Sequence, residues 1–454
     1  MADNNTQRAD TGGDTGSGTV RRRSFLTTAG VGAVAALAGC TGDGGDDGGG
    51  GGGDGGGGSS PIKLGGVYLL SGIAEQLGAS SRAAAEVAVN EINDDGGIMG
   101  RQVETVFRDH GDDPQGQIRS LVQEENADIL LGLTSSGVTL NSAPVIEQLG
   151  VPFTLTDIGT PFITEFDSDT YGDQAAGIPN LFRTNANTSV NCYAIAKYVA
   201  EEYGSARVAN VGPDYAYGEQ TWDYFKAYSD GLGVGHEYVE SVFPELGASD
   251  MTPQINQVLN ADPDIVFTSF WGGDTVTFVQ QASQQGLFDQ VDDVFDTIGA
   301  DPNGFAALGD TMPEGYSFSG WYWHSAFDND ENDQFLEAYR NEYEGTDVVP
   351  IPSFTGGSSY AAPLVYKQAI EAAGSLNPDD IIAEMEGLEF TGPRGTWTID
   401  EDSHQATAPS VIGKTSTDDD VPYDGVGLTD TRTYTLDRDT ATDLLSGSDL
   451  PPGV

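Results

Sequence analysis

The sequence predicts an α/β protein of two lobes, each a parallel β-sheet flanked by helices. Three observations carry this. Apolar runs of strand length alternate with segments whose apolar residues recur at helical spacing. The alternation runs once and then restarts after Phe182-Arg183. The length, 454 residues, exceeds one small core and suits two lobes of ordinary domain size.

The first sixty residues stand apart from that rhythm. Arg22-Arg23-Ser24-Phe25-Leu26 opens an apolar run from Ala29 to Ala38. A bilayer span needs roughly 20 apolar residues, so the run is too short to cross a membrane. It reads as the apolar region of a twin-arginine export signal. The run ends in Leu37-Ala38-Gly39-Cys40, which resembles a lipoprotein processing box. Residues 1–39 are expected to be removed, leaving Cys40 first in the mature chain with lipid on its sulfur. Residues 40–60 then form a tether. After Cys40 it holds only Gly, Asp, Ser and Thr, with no apolar side chain to bury. Such a coil of twenty residues reaches roughly 25 Å.

The first lobe opens with an apolar strand, Ile62–Leu70, ending in Ser71-Gly72. Ala84, Ala88 and Ile92 fall at helical spacing, and Gly96-Gly97 stops that helix. Val103–Phe107 is a strand, and Ile118, Leu121 and Val122 mark a helix. Asp128–Leu133 is a strand, Val138–Leu149 a helix carrying Pro144, and Val151–Leu155 the next strand. In the second unit, Ile195, Tyr198, Val199 and Glu202 give a helix, and Arg207–Val211 a strand. Trp222, Phe225, Ser229 and Leu232 give another helical face. Ile265–Phe270 and Val294–Ile298 are strands around the helix Val276–Gln285. Phe335 to Tyr343 and Ala361 to Ala373 are later helices, and Gly395–Ile399 an extended strand. Residues 401–454 read as a polar, acidic end. Cys192, in a helical pattern, is expected to be a buried small apolar residue.

The charge is extreme. Asp and Glu number 71 against 19 Lys and Arg, a formal net charge of -52. Such a surface repels nucleic acid and anionic lipid heads, which excludes both as partners. It also repels itself unless salt screens it; at molar salt the screening length is about 3 Å. The composition looks like that of an extreme halophile. Hydrophobic residues at 38% are enough for a core, so the chain is not globally disordered.

The order of segments resembles the leucine/isoleucine/valine-binding protein family, the type I periplasmic solute-binding proteins of ABC transporters, in a haloarchaeal type of lipoprotein. The match runs from Ile62 to about Thr415. It rests on Ile62-Lys63-Leu64-Gly65 through Leu70-Ser71-Gly72, then Val89-Asn90-Glu91-Ile92-Asn93 and Gly96-Gly97-Ile98-Met99-Gly100-Arg101. Asp112-Asp113-Pro114, Gly132, Ser135-Ser136 and Asp214-Tyr215-Ala216-Tyr217-Gly218 complete it. The resemblance implies a two-lobe type I periplasmic-binding-protein fold with three crossover hinges, near Phe182–Thr184, Phe318–Gly320 and Pro393–Thr396. Lobe one would hold 61–182 and 320–393; lobe two would hold 183–318 and 396–454. A ligand in the cleft would close the lobes by a hinge motion.

The resemblance also implies a site. Ser135 and Ser136, at a helix start, would hold a carboxylate through backbone N–H groups and a hydroxyl, unless they simply cap the helix. Thr160 would offer a hydroxyl, or cap the turn at Pro161. Tyr217 and Trp271 match aromatic cleft residues and would give apolar area and a cation–π face, or pack in a lobe core. Asp301 would pair the ligand's ammonium, or cap the turn at Pro302. At Gln76-Leu77, Leu77 replaces an aromatic residue of the branched-chain amino-acid receptors. The family's disulfide near the first ligand loop has no counterpart, the matching positions being Gly111 or Asp112 and Ser135.

The expected activity is binding and not catalysis. The four His residues, His110, His236, His324 and His404, are not at metal-ligand spacing, and no Gly-x-Ser-x-Gly elbow occurs. The Asp109-His110-Gly111-Asp112-Asp113 cluster reads as a solvated strand-end loop. No metal or other cofactor is expected. The chain is expected on the extracytoplasmic face of the membrane, touching it through the lipid anchor only. There it would deliver an amino acid of branched-chain type to ABC permease subunits. A receptor feeding a chemotaxis transducer, or one for short amides or urea, would use the same fold.

Overall fold

The structure, a computed structural model, describes residues 60–172, 175–417 and 426–454. The export signal, Cys40, the tether up to Ser59 and the acidic run Asp418-Asp419-Asp420 lie outside the described residues.

The first lobe alternates strand and helix: β1 (Ile62–Tyr68), α1 (Glu75–Asp94), β2 (Val103–Asp109), α2 (Pro114–Gln123), β3 (Ile129–Thr134), α3 (Ser136–Leu149), β4 (Phe153–Asp157), α4 (Ser168–Tyr171) and β5 (Leu181–Arg183). Its sheet runs β2-β1-β3-β4-β5, every pair parallel. Parallel strands covered on both faces read as unbroken apolar runs, which is why the sequence showed them. Local chemistry sets the helix ends. The Asp113 side chain accepts the Gly116 N–H at 2.9 Å and Pro114 opens α2. Gly150, left-handed at φ +66°, closes α3. Of the Asp109–Asp113 loop, Gly111 to Asp113 are exposed but His110 is buried.

The second lobe holds α5 (Thr188–Glu202), β6 (Arg207–Val211), α6 (Ala216–Gly231), β7 (Glu237–Val242), α7 (Thr252–Asn260), β8 (Ile265–Thr268), α8 (Gly273–Gln285), β9 (Asp293–Asp296), α9 (Pro302–Leu308) and β10 (Ser317–Gly320). The chain then returns to the first lobe as α10 (Asp330–Tyr343), α11 (Gly356–Ala373), α12 (Pro378–Met385) and the hairpin β11 (Glu389–Gly392) and β12 (Gly395–Thr398). Helix α11 lies along α1, and together they cover one face of the first sheet. Helices α2 and α3 cover the other. Cys192 is buried and unpaired.

Two features differ from the sequence reading. The third crossover, expected near Pro393–Thr396, lies further on. Phe390, Trp397, Ile399, Ala406 and Ala408 pack in one apolar cluster with Ile62, Leu131 and Phe182, so the chain stays on the first lobe through Ala408. The Pro393-Arg394 pair forms the turn of a hairpin, not the hinge. The second difference is that the acidic end, read only as polar, forms regular elements in its described residues. It supplies β13 (Ser410–Ser416), β14 (Gly427–Tyr434) and α13 (Arg438–Leu444). The second sheet is therefore mixed: order β14-β13-β10-β9-β8-β6-β7, with β13 antiparallel to both β10 and β14. A buried polar knot fastens β13. Lys414 Nζ reaches Asp293 Oδ2 at 2.9 Å, and the same oxygen accepts from Tyr203 Oη at 2.6 Å and Ser317 Oγ at 2.9 Å. The three donors satisfy a carboxylate that would be costly to bury alone.

Candidate functional site

Ligands of open parallel sheets sit beyond the carboxyl ends of the strands. There the structure has a cleft between the lobes, whose empty space of about 290 Å³ includes open solvent. The first lobe contributes Leu77, Thr134, Ser135, Ser136, Asp157 and Gly159. The second contributes Tyr215, Tyr217, Trp271 and Ile298. Trp321 and Phe354, from the segment returning after β10, complete the lining. The lobes meet closely. A methyl group on Gly159 would fall 2.7 Å from the Tyr217 ring, so only glycine lets them approach this far.

The end of β3 is the most contorted backbone of the site. Gly132 (φ +117°), Leu133 (φ +61°) and Ser135 (φ +81°) all have positive φ. A Cβ at Gly132 would lie 2.3 Å from the Val67 carbonyl oxygen. For the two non-glycine residues such conformations cost about 1–3 kcal/mol each, a strain that concentrates at ligand clamps. The result aims the start of α3 at the cavity. The Ser135 carbonyl accepts both the N–H and the hydroxyl of Thr139, at 3.1 and 3.0 Å. The Ser135 side chain makes no capping bond. Ser136 Oγ accepts the Thr160 N–H at 3.1 Å, which leaves the Ser136 hydroxyl proton to donate elsewhere.

One carboxylate lines the cavity, and it is Asp157, not Asp301. Thr134 and Asp157 are register partners on adjacent strands, and Thr134 Oγ1 donates to Asp157 Oδ2 at 3.0 Å. Asp157 is 5% exposed. Burial pushes its pKa well above the usual carboxylate range; the Thr134 hydrogen bond opposes this and the charge of Asp301 adds to it. No Lys, Arg or His is among the lining residues.

Of the residues expected from sequence, Ser135, Ser136, Tyr217 and Trp271 come together here. Tyr217 and Trp271 serve both readings, since each lines the cavity and packs in the second lobe's core. Their polar atoms are engaged: Tyr217 Oη with Thr297 Oγ1 at 2.6 Å, and Trp271 Nε1 donating to Tyr215 Oη at 2.8 Å. Thr160 does not line the cavity. Its N–H braces Ser136, its carbonyl accepts from Arg183 at 2.6 Å, and its hydroxyl is buried without a partner among the described residues. Asp301 lines a neighbouring open pocket, which shares Leu77 with the cavity. There it caps α9, accepting from Asn303 N at 3.2 Å, and burial pushes its pKa up to about 6. Sequence reasoning has Asp157 and Tyr215 within the strand-end loops without singling them out, and does not name Ile298, Trp321 or Phe354 as lining residues. The first four end a strand or follow one closely, so the strand-end rule already contained them. Phe354 precedes a helix and had no such signal.

The profile of the periplasmic binding protein family matches residues 61–420. Among curated relatives, Leu/Ile/Val-binding protein homolog 3 of Brucella melitensis is 26% identical over 347 residues, covering 75% of this chain and 87% of that protein. Among solved structures, an ABC-transporter solute-binding protein from R. palustris in complex with 4-hydroxybenzoate aligns with a TM-score of 0.70 at 22% identity. The alignment covers 83% of this chain and 97% of that one. An amino acid ABC transporter substrate-binding protein from Pseudomonas fluorescens Pf-5 aligns with a TM-score of 0.73 at 18% identity, covering 86% and 99%. At these identities the two structures speak to the fold, which is that of type I periplasmic binding proteins.

Proposed function

The chain belongs to the periplasmic binding protein family, a family of extracytoplasmic solute-binding proteins, and from that premise we propose that it is the lipid-anchored amino-acid receptor of an ABC importer. The spacing of Asp157 from the start of α3 carries the ligand class. Asp157 pairs with Thr134 on the neighbouring strand, about 4.8 Å across the sheet, and Ser135–Ser136 follow Thr134 directly. An α-amino acid carries its carboxylate and ammonium on one carbon, so one can meet Ser135–Ser136 while the other meets Asp157. Its side chain then faces Leu77, Ile298 and the aromatic wall. A ligand touching both lobes stabilises the closed form by its differential affinity for that form. The membership of Leu/Ile/Val-binding homologues among the relatives supports the same reading.

The aromatic wall favours a second reading. Tyr215, Tyr217, Trp271, Trp321 and Phe354 make five aromatic residues among twelve lining residues, and they would suit a benzoate. 4-Hydroxybenzoate, for instance, puts its polar groups at opposite ends of a ring and offers no ammonium to Asp157. A thermal-shift screen at molar salt separates the two. Amino acids at a hundredfold excess over their dissociation constant should stabilise the protein by about 2.7 kcal/mol. A shift with hydroxybenzoates and none with any amino acid would replace the first reading by the second.

The anchor rests on the sequence. Among the described residues no helix is long and apolar enough to cross a membrane, and Cys40 closes the lipoprotein-like box. Cys40→Ser should move the protein from the membrane fraction to the soluble one. A variant that stays with the membrane would remove the anchor.

A further inference from the structure

Resting on the amino-acid reading of the cavity, we infer that Trp321 reads the ligand's side chain through its indole N–H. The ligands are then α-amino acids whose side chain joins an apolar or aromatic body to a hydrogen-bond acceptor, not wholly hydrocarbon side chains.

The polar groups facing the cavity are mostly spent on one another. Trp271 donates to Tyr215, Tyr217 bonds Thr297, and Thr134 donates to Asp157. Trp321 is different. It lines the cavity, is 1% exposed, and its Nε1 is buried without a partner among the described residues. Its ring is fixed edge-on to Phe354, with centroids 5.3 Å apart and planes at 73°, in the first residue after β10. An indole N–H is a donor only and normally finds an acceptor when buried. Trp323, two residues on, also has an unpartnered Nε1, but it packs among Phe305 and His324 and does not line the cavity. Of these two indoles, Trp321 alone stands beside the cavity.

The consequence for selectivity is asymmetric. A hydrocarbon side chain entering the cavity strips water from the indole N–H and returns nothing. A side chain with a hydroxyl or carbonyl oxygen satisfies it. Sites that hydrogen-bond a substrate group discriminate strongly against the analogue lacking that group. The Leu77 side of the cavity sets no such demand, since that wall is aliphatic.

The test compares shape-matched ligands by calorimetry at molar salt: tyrosine with phenylalanine, and asparagine with leucine. The acceptor-bearing member of each binding pair should be tighter by roughly tenfold to a hundredfold. Trp321→Phe should bring the pair to within about twofold of each other. The five tryptophans also give the wild-type protein a readable set of indole resonances. The one absent from Trp321→Phe should move downfield and exchange more slowly with the acceptor ligand, and not with its hydrocarbon partner. Equal wild-type affinities within both pairs overturn the inference, even if the variant fails to fold. A ratio unchanged by Trp321→Phe overturns it as well. If 4-hydroxybenzoate binds, moves that resonance, and no amino acid binds, the role of Trp321 stands and the amino-acid reading falls.

Discussion

Asp157→Asn should raise the melting temperature of the ligand-free protein and weaken amino-acid binding by roughly a hundredfold to a thousandfold. Both effects come from one buried charge. Without a ligand, Asp157 has a single neutral donor, Thr134, and no cation among its neighbours in the cavity. Its pKa in the fold is raised, chiefly by burial, while in the unfolded chain it returns to about 3.9. Between those two values the folded state holds a proton that the unfolded state has released. Stability therefore falls as pH rises through that window, and asparagine removes the fall. The ligand reverses the balance, because an ammonium beside Asp157 stabilises its charged form. Binding should then release protons at pH values where the empty site is protonated, and affinity should rise with pH until Asp157 is fully ionised. Melting curves across pH, and calorimetry in buffers of different ionisation enthalpy, measure both. A variant with wild-type affinity, or with the same pH slope of melting temperature, would remove Asp157 from the site.

The melting temperature should also fall by on the order of 10 °C between 2 M and 0.1 M KCl. A net charge of -52 leaves few counter-charges within the fold. Most ion pairs among the described residues lie on partly exposed side chains, such as Arg207–Glu237 at 3.0 Å and Lys367–Glu371 at 3.1 Å. Exposed pairs contribute little each and cannot offset a whole-surface repulsion. Circular dichroism over a salt titration, with sucrose as a control for general exclusion from the surface, decides the matter. A melting temperature independent of KCl would show that the carboxylates are not a salt-dependent liability.

The parts legible in the sequence were those where one physical pattern dominates. Strands buried on both faces, such as Ile129–Thr134 and Ile265–Thr268, give apolar runs with no competing explanation. The last strands gave no such signal. In β14, Gly427–Tyr434, only the first two residues are buried, and the rest alternate Thr, Asp and Arg at a sheet edge. Edge strands carry polar and charged residues for good reason, and in so acidic a chain they look like surface. Composition hid Asp157 as well. Among 71 acids, one more at a strand end has no mark to set it apart; burial alone gives it meaning, and burial is a property of the fold. The resemblance offers Asp301 as the ammonium partner, and it too follows a strand. The adjacent Pro302 opens a helix, and the side chain turns back to cap it.

The place of β13 in the second sheet governs how this chain is made. Its partner β10 ends at Gly320, and Ser410 binds the Gly320 carbonyl across 90 residues of chain. That interval is the part of the first lobe carrying α10 to α12 and the hairpin. During synthesis β10 emerges with one neighbour, β9, and an open edge on its other side. The edge stays bare until the excursion to the first lobe has been translated and the chain has come back. The first lobe waits for α11 and is complete by Ala408, while the second still lacks β13, β14 and α13. A ribosome-bound chain thus carries for much of its translation a first sheet without its covering helix α11 and a second sheet without its last two strands, and a chain stopped before Ser410 would expose a pairing edge ready to join another copy.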